Sequence, residues 1–331
     1  GDFGHRDFGH RLAALHGNTR VEGRHLSLPL EDYGTIATFG RANDVWIETA
    51  LEVGEAALRD ALDRAGVSAN EVGALFFVTV TGLATPSIEA RLMNRLDFPK
   101  TMRRSPLFGL GCVAGAAGLS RAADYIRAYP DQAAVLLSVE LCSLTFQQSD
   151  QSVPNMIATG LFGDAASAVV LVGDEFAAKR GLPNAARLPE IVATHSVFYP
   201  DSEDVMGWDV SEQGFQLVLS AAVPSVVREH IGSDVDALLR LAGLTREDVT
   251  TWICHSGGPK VLGAIQDALG LSDDDLAITW ANLARVGNVS SASVLLVLKD
   301  TIEEARPAPG SYGVLLALGP GFCAELVLLR F

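Results

Sequence analysis

The sequence predicts a layered α/β fold made of two similar halves, and three observations carry that prediction. Apolar, β-branched strand segments alternate with helical ones along the chain. The order of elements in the second half repeats that of the first, though not its letters. Two helical segments, one in each half, begin with Ala, Gly and Ser nearly all round. A helix without a polar face is buried, and small residues let two backbones approach closely, so these two helices are expected to pack on each other.

In chain order, "VGALFFVTV" (72–80) reads as a buried strand. "SIEARLMNRL" (87–96) has helical spacing, with Ser87 as N-cap after Pro86. The first small-residue helix is expected over Cys112 to Ala128, after the apolar run Pro106 to Leu110. "AAVLLSVEL" (133–141) and "AASAVVLVG" (165–173) are further strands, separated by a polar loop (147–155) and a short helix ending at Leu161. Ala177 to Pro189 is the loosest stretch and sets the boundary, giving halves 1–180 and 181–331. Beyond it, "TTWICHSGG" (250–258) is a strand and glycine turn, followed by an amphipathic helix from Lys260 to Leu269. The second small-residue helix runs from Ser290 to Ala305, and a hairpin around Gly319-Pro320-Gly321 ends the chain.

A chain of 331 residues, 48% hydrophobic and 20% charged, can bury a large core. Its 25 basic and 40 acidic residues give a net charge of −15, which argues against a nucleic-acid surface and requires a local Arg or Lys cluster for any anionic substrate. No apolar run approaches the ~20 residues of a membrane span, and no signal-peptide pattern is present. The cysteines, at 112, 142, 254 and 323, are scattered without a CxxC pair. Neither a zinc site nor a disulfide framework is expected, and a reducing cytoplasm fits. "DFGHR" occurs twice at the start, without the Gly-rich loop and HRD segment a kinase needs, and is read as a processed or engineered end.

Three residues can carry chemistry. Cys112 stands where a strand gives way to a helix, whose N-terminus would lower a thiol pKa; a small inert core thiol is the alternative. His255 ends an apolar strand before Ser256-Gly257-Gly258 and so faces a cleft. Asn288 precedes the second small-residue helix, where alone it reads as a turn or cap. Together they lie at element ends on one rim of a duplicated core. A Cys nucleophile with His suits acyl transfer, and an amide, which cannot titrate, can only orient or donate hydrogen bonds. A papain-like protease uses the same types, but its local cysteine signature is absent.

"GLGCVAGAAGLSRAADYI", "TGLFGDAASAVV", "HSGGPKVL", "GNVSSASVLLVL" and "LGPGF" occur in this order. They resemble the type III polyketide synthases, the chalcone-synthase-like branch of the thiolase fold. The match runs from about Val21 to Phe331. "VELCSLTFQ" and "SVFYPDSEDVMGWDVSEQGF" look most like bacterial members that make alkylpyrones and alkylresorcinols. The resemblance implies a homodimer with a duplicated αβαβα core, no metal or prosthetic group, and malonyl units drawn from coenzyme A. It places the acyl-carrying nucleophile on Cys112 and the malonyl-binding pair on His255 and Asn288. Phe162 matches an aromatic gate between coenzyme A tunnel and cavity. Thr81, Thr145, Gly207 and Ser290 fall on cavity-lining positions, Lys260 beside the tunnel, and Gly319, Pro320 and Gly321 on a turn beside the site.

Four departures accompany the resemblance. The fold's usual first strand and helix are not seen upstream. Among the cationic positions for coenzyme A, Arg11 and Arg20 stand beside Ala14 and Asn18. Thr85 replaces a Met that reaches the partner's cavity, and Leu217 replaces a second aromatic gate. With Leu217 and the side-chain-free Gly207, the expected cavity is open to a long chain, hence a fatty acyl-CoA starter. A malonyl-primed tetrahydroxynaphthalene-type synthase and a single-condensation ketoacyl-ACP synthase III-like enzyme are the alternatives. The second normally carries an Asn a few residues after its His, absent here.

Overall fold

Two four-stranded sheets form the frame, and the computed structural model describes residues 12–148, 150–182 and 188–331 of the chain. The DFGHR repeat and Arg11 lie outside the described residues. The first sheet has the order β2-β1-β3-β4, from strands Val72–Thr79 (β1), Arg103–Phe108 (β2), Ala133–Leu141 (β3) and Asp164–Val172 (β4). The second contains Glu190–Phe198 (β5), Val249–Cys254 (β8), Tyr312–Gly319 (β9) and Cys323–Arg330 (β10), in the order β5-β10-β9-β8. Between them in sequence, Met206–Ser211 (β6) and Gly214–Leu219 (β7) pair as a separate hairpin.

The inner strands read as unbroken apolar runs because both their faces are covered. Along β3, Val135, Leu137 and Val139 turn to helix Phe39–Ala65 (α1), while Ala134 and Leu136 turn inward. On β9, Val314, Leu316 and Leu318 face helices Val223–Arg240 (α6) and Pro259–Leu269 (α7), while Leu315 and Ala317 turn inward. The shared inner layer is helices Ala114–Ala128 (α3) and Ser291–Asp300 (α9). The layers therefore run helix, sheet, helix, sheet, helix: the duplicated αβαβα core of the thiolase fold. The shorter helices are Ile88–Leu92 (α2), Val153–Leu161 (α4), Asp174–Arg180 (α5) and Ala277–Val286 (α8).

Three expectations are corrected. Residues 87–96 hold only the five-residue helix α2. Cys112 lies in a single 3-10 turn, Gly111–Val113, before α3 starts. The second small-residue helix is regular to Asp300 and continues as a π turn over Thr301–Ala305.

No side chain separates α3 from α9 at Gly115: a Cβ there would lie 2.2 Å from the Ser291 carbonyl oxygen and 2.8 Å from Val294 Cγ1. The backbone atom cannot move aside, so the helices would have to part. Gly115→Ala should cost about 1–3 kcal/mol in urea unfolding. Gly263→Ala, on α7 with open space around the added methyl, should instead be neutral or stabilising, as helix propensity dictates. Equal effects at the two sites would refute the close-approach argument.

Candidate active site

Cys112, His255 and Asn288 converge because each stands at the end of an element that points to one rim. β2 delivers the chain to Gly109 and Gly111, both at positive φ (96° and 57°), which turn it sharply into α3. At Gly111 a Cβ would also meet the Pro320 ring at 2.5 Å. The turn between β9 and β10 is thus seated directly on the turn that carries Cys112. His255 follows the last residue of β8 and is held by its backbone N–H, which donates to the Leu316 carbonyl at 2.9 Å. Asn288 stands between α8 and α9. Its N–H donates to the Leu161 carbonyl at 2.8 Å, and its own carbonyl accepts from Gly163 at 3.0 Å. Backbone pairing therefore ties Asn288 to the residues flanking Phe162.

All three line one cavity of about 480 Å³. Phe162, Gly207, Leu217, Lys260, Ser290 and Pro320 line it as well. Gly319 and Gly321 shape the turn around Pro320 without forming the wall. Two expected liners are elsewhere. Thr81 is buried behind the wall, accepting from Trp46 Nε1 and Leu141 N and donating to Glu140 at 3.0 Å. Thr145 donates to the Cys142 carbonyl at 2.7 Å. Their places on the wall are taken by Val80 and Cys142. Arg20 lies 4.4 Å from the centre of the Trp280 ring, outside the lining, while Leu15, Asn18 and Thr19 flank the mouth with Lys260.

Sequence reasoning missed Trp208. In the β6–β7 hairpin Trp208 pairs directly with Leu217, and Met206 with Leu219, and all four line the cavity. Gly207 lacks a side chain, as expected, but its neighbour supplies the bulk that Leu217 does not. The Trp208 ring packs 5.9 Å from Phe215, which stacks edge-on against Phe39 at 5.3 Å. The signal available was the "MGWDV" alternation, which puts Trp208 and not Gly207 on the face shared with Met206.

The electrostatics are those of a mostly apolar, recessed site. Burial pushes the Cys112 thiol up to about 12, partly offset by a hydrogen bond with Ser290. The lowering expected from a helix N-terminus is outweighed, since Cys112 precedes the helix and sits among apolar groups. Burial also takes His255 down to about 4, so its imidazole is neutral over ordinary pH and donates one N–H without a charge. Asn288 Oδ1 accepts from the Ser290 N–H at 2.8 Å, which fixes the amide orientation. Nδ2 reaches the Gly257 carbonyl at 3.4 Å and has a second hydrogen to offer. Behind the wall, buried Glu140 accepts from Val80 N, Thr79, Thr81 and Ser291. A thiol, a neutral imidazole and an oriented amide in an apolar chamber can exchange thioesters and stabilise an enolate oxygen. Among the described residues no group of three His, Cys, Asp or Glu is placed to hold a metal ion.

The family model described as chalcone and stilbene synthases, N-terminal domain, matches residues 28–175, and its C-terminal domain matches residues 190–331. The chain is 50% identical over 97% of its length to a 1,3,6,8-tetrahydroxynaphthalene synthase of Streptomyces peucetius subsp. caesius, covering 83% of that protein. It is 40% identical to a putative chalcone synthase of Bacillus subtilis, covering 97% of this chain and 89% of that one. Among solved structures, the 1,3,6,8-tetrahydroxynaphthalene synthase of Streptomyces coelicolor superposes with a TM-score of 0.90 at 31% identity, covering 97% of this chain and 89% of that one.

The buried neutral His255 has a consequence for acid stability. Its pKa lies below the ordinary 6.5 when folded. As pH falls from about 6.5 to about 4, the unfolded chain gains a proton there that the folded protein refuses, so stability is lost across that window and no further below it. Urea unfolding of the parent and His255→Gln should show the parent losing more stability between pH 7 and pH 4. Parallel curves would contradict the burial of a neutral imidazole.

Proposed function

The chain belongs to the chalcone and stilbene synthase family and is a type III polyketide synthase, and from that premise we propose that it builds its ketide from malonyl-CoA alone. In this reading residues 1–180 supply the nucleophile and residues 181–331 supply the pair that holds malonyl-CoA. Cys112 attacks the starter thioester and carries the growing chain, with coenzyme A leaving as its thiol. The Nε2–H of His255 and the free Nδ2–H of Asn288 bind the malonyl carbonyl. They stabilise the enolate left when the carboxylate departs as CO2, which then attacks the Cys112 thioester. Lys260 and the mouth residues meet the coenzyme A moiety. The balance closes without a metal or prosthetic group.

One observation carries the choice of starter: Trp208 stands opposite Leu217 and both line the cavity, so the indole takes up volume that a long acyl chain would need. A short starter fits that wall. Support comes from the half-identical relative, whose named product has a ten-carbon skeleton. Five malonyl units that each lose CO2 supply ten carbons. A second reading, a fatty acyl starter closing to an alkylpyrone or alkylresorcinol, is favoured by the apolar lining of Ile157, Leu219, Val223, Pro224 and Val261. Each methylene buried there would contribute about 0.8 kcal/mol. We further propose a homodimer in a reducing cytoplasm. Phe108 and Phe198 are 48% and 62% exposed, and the four cysteines are unpaired.

Malonyl-CoA alone should yield a five-unit aromatic product by mass spectrometry, with long-chain acyl-CoAs poorer starters by kcat/KM. Trp208→Gly should raise kcat/KM for long starters by at least about tenfold, the worth of two apolar methylenes. A parent that prefers fatty acyl-CoA establishes the second reading instead. Chemistry and loading separate in other variants. Cys112→Gln should decarboxylate malonyl-CoA yet form no acyl-enzyme. Asn288→Ala should load but decarboxylate about 10²–10³-fold more slowly, the usual loss for one such donor. Wild-type decarboxylation by Asn288→Ala would make the amide merely structural.

A further inference from the structure

The hairpin β6–β7 carries Met206, Trp208, Leu217 and Leu219 on the cavity wall, yet it is hydrogen-bonded into neither four-stranded sheet. Two strands alone are at best marginally stable, so the place of this wall depends on what holds the hairpin at its ends. The base is closed by the Ser220 N–H, which donates to the Val205 carbonyl at 2.9 Å. The tip is held from the first half of the chain. Gln147 Nε2 donates to the Gln213 carbonyl at 3.1 Å and to the Phe215 carbonyl at 3.3 Å. Gly214, at a φ of 108°, lies so near Phe39 that a Cβ there would meet its ring at 2.9 Å. Phe39 is the first residue of α1, fixed by the Thr38 hydroxyl, which accepts from Arg41 N at 3.2 Å.

Phe215 fills the inside of this tip and is 3% exposed. Alternation puts it on the face of Leu217 and Leu219, one step beyond the cavity. Its ring meets Trp208 at 5.9 Å, Phe39 edge-on at 5.3 Å and Phe108 at 6.2 Å, all within the range where aromatic rings attract. Phe39, Phe108 and Phe215 do not line the cavity, so they act on a substrate only through Trp208. We infer that the Phe39–Phe215 pair positions the Trp208 indole over the cavity, so that the start of α1 helps to set which starter the hairpin admits. Without the Phe39 ring, Phe215 gains space to turn into, and the indole loses the surface that backs it. Both phenylalanines are thus positioning residues for starter selection.

The inference rests on Trp208 selecting short starters, and the experiment keeps the two apart. Lauroyl-CoA is set to compete with malonyl-CoA as starter, and the ratio of lauroyl-primed to malonyl-primed products is read by mass spectrometry. The parent is compared with Phe39→Ala, Phe39→Leu, Trp208→Gly and the double variant of Phe39→Ala with Trp208→Gly. Phe39→Leu keeps an apolar side chain at the start of α1 and guards against a folding loss in Phe39→Ala. Each Phe39 variant should move the ratio toward lauroyl by about three- to tenfold, the usual worth of one ring pair. Malonyl-CoA decarboxylation should stay within about twofold of the parent. Added to Trp208→Gly, Phe39→Ala should change the ratio by less than about twofold, because no indole is left to hold. Parent-like ratios in both Phe39 variants, with Trp208→Gly shifted, would overturn the clamp. Additive shifts in the double variant would do the same, as would a parallel fall of decarboxylation and of both product classes, the mark of a purely structural residue. A ratio that Trp208→Gly leaves unmoved would remove the role of Trp208 itself, and the inference with it.

Discussion

The contact on which the rest of the structure depends is the bare-backbone approach of α3 to α9. Two buried helices pack through Gly115 and the Ser291 carbonyl, with an apolar sheet on either outer side. Because both helices start at the same rim, this approach decides how far the 3-10 turn of Cys112 stands from the residues that open α9. The 3.6 Å hydrogen bond from Cys112 Sγ to Ser290 Oγ spans the gap that this helix packing sets. A side chain inserted several residues away would widen it, and a hydrogen bond of that length has little slack.

Polar groups behind the wall do a second kind of work. Glu140 is fully buried, and burial raises its pKa, yet it gathers donors from the end of β1 and the start of α9. Asp164 is likewise buried, accepting from Ser27 N at 2.7 Å and Ser143 N at 2.8 Å. Neither carboxyl lines the cavity. Each instead joins segments far apart in sequence whose ends carry the cavity residues. Satisfied networks of this kind specify one arrangement, since any alternative leaves a buried acceptor without partners.

Much of the fold and the central residues were legible in the sequence, for a physical reason. Cys112, His255 and Asn288 have glycines or small residues beside them, as tight junctions require, and it was their occurrence together at element ends, not any one of them alone, that pointed to a site. The layered α/β halves and the packing of the two central helices followed from strands apolar on both faces and from helices without a polar side, while the five-layer core came with the family resemblance. Facing was harder to read. Thr81 and Thr145 sit next to the true wall residues, and one position of offset reverses a side chain at a strand end or in a turn. Trp208 was hidden for the same reason, behind the more noticeable Gly207. The 27-residue helix α1 also escaped, because its buried residues are interleaved with acidic and basic ones along its length.

The isolated bridge between Asn288 and Phe162, just past the end of α4, has a consequence for how such a cavity can change. Phe162 and the Asn288 amide stand on opposite sides of one backbone bridge, closed by Asn288 N to Leu161 O and by Gly163 N to Asn288 O. Arg24 clasps the same bridge from outside, donating to the Phe162 carbonyl at 3.1 Å. The cavity wall therefore cannot be widened by shifting this backbone without moving the Asn288 amide as well. Diversification is confined to exchanging side chains on a rigid doorway, which separates the freedom to admit new molecules from the machinery that acts on them.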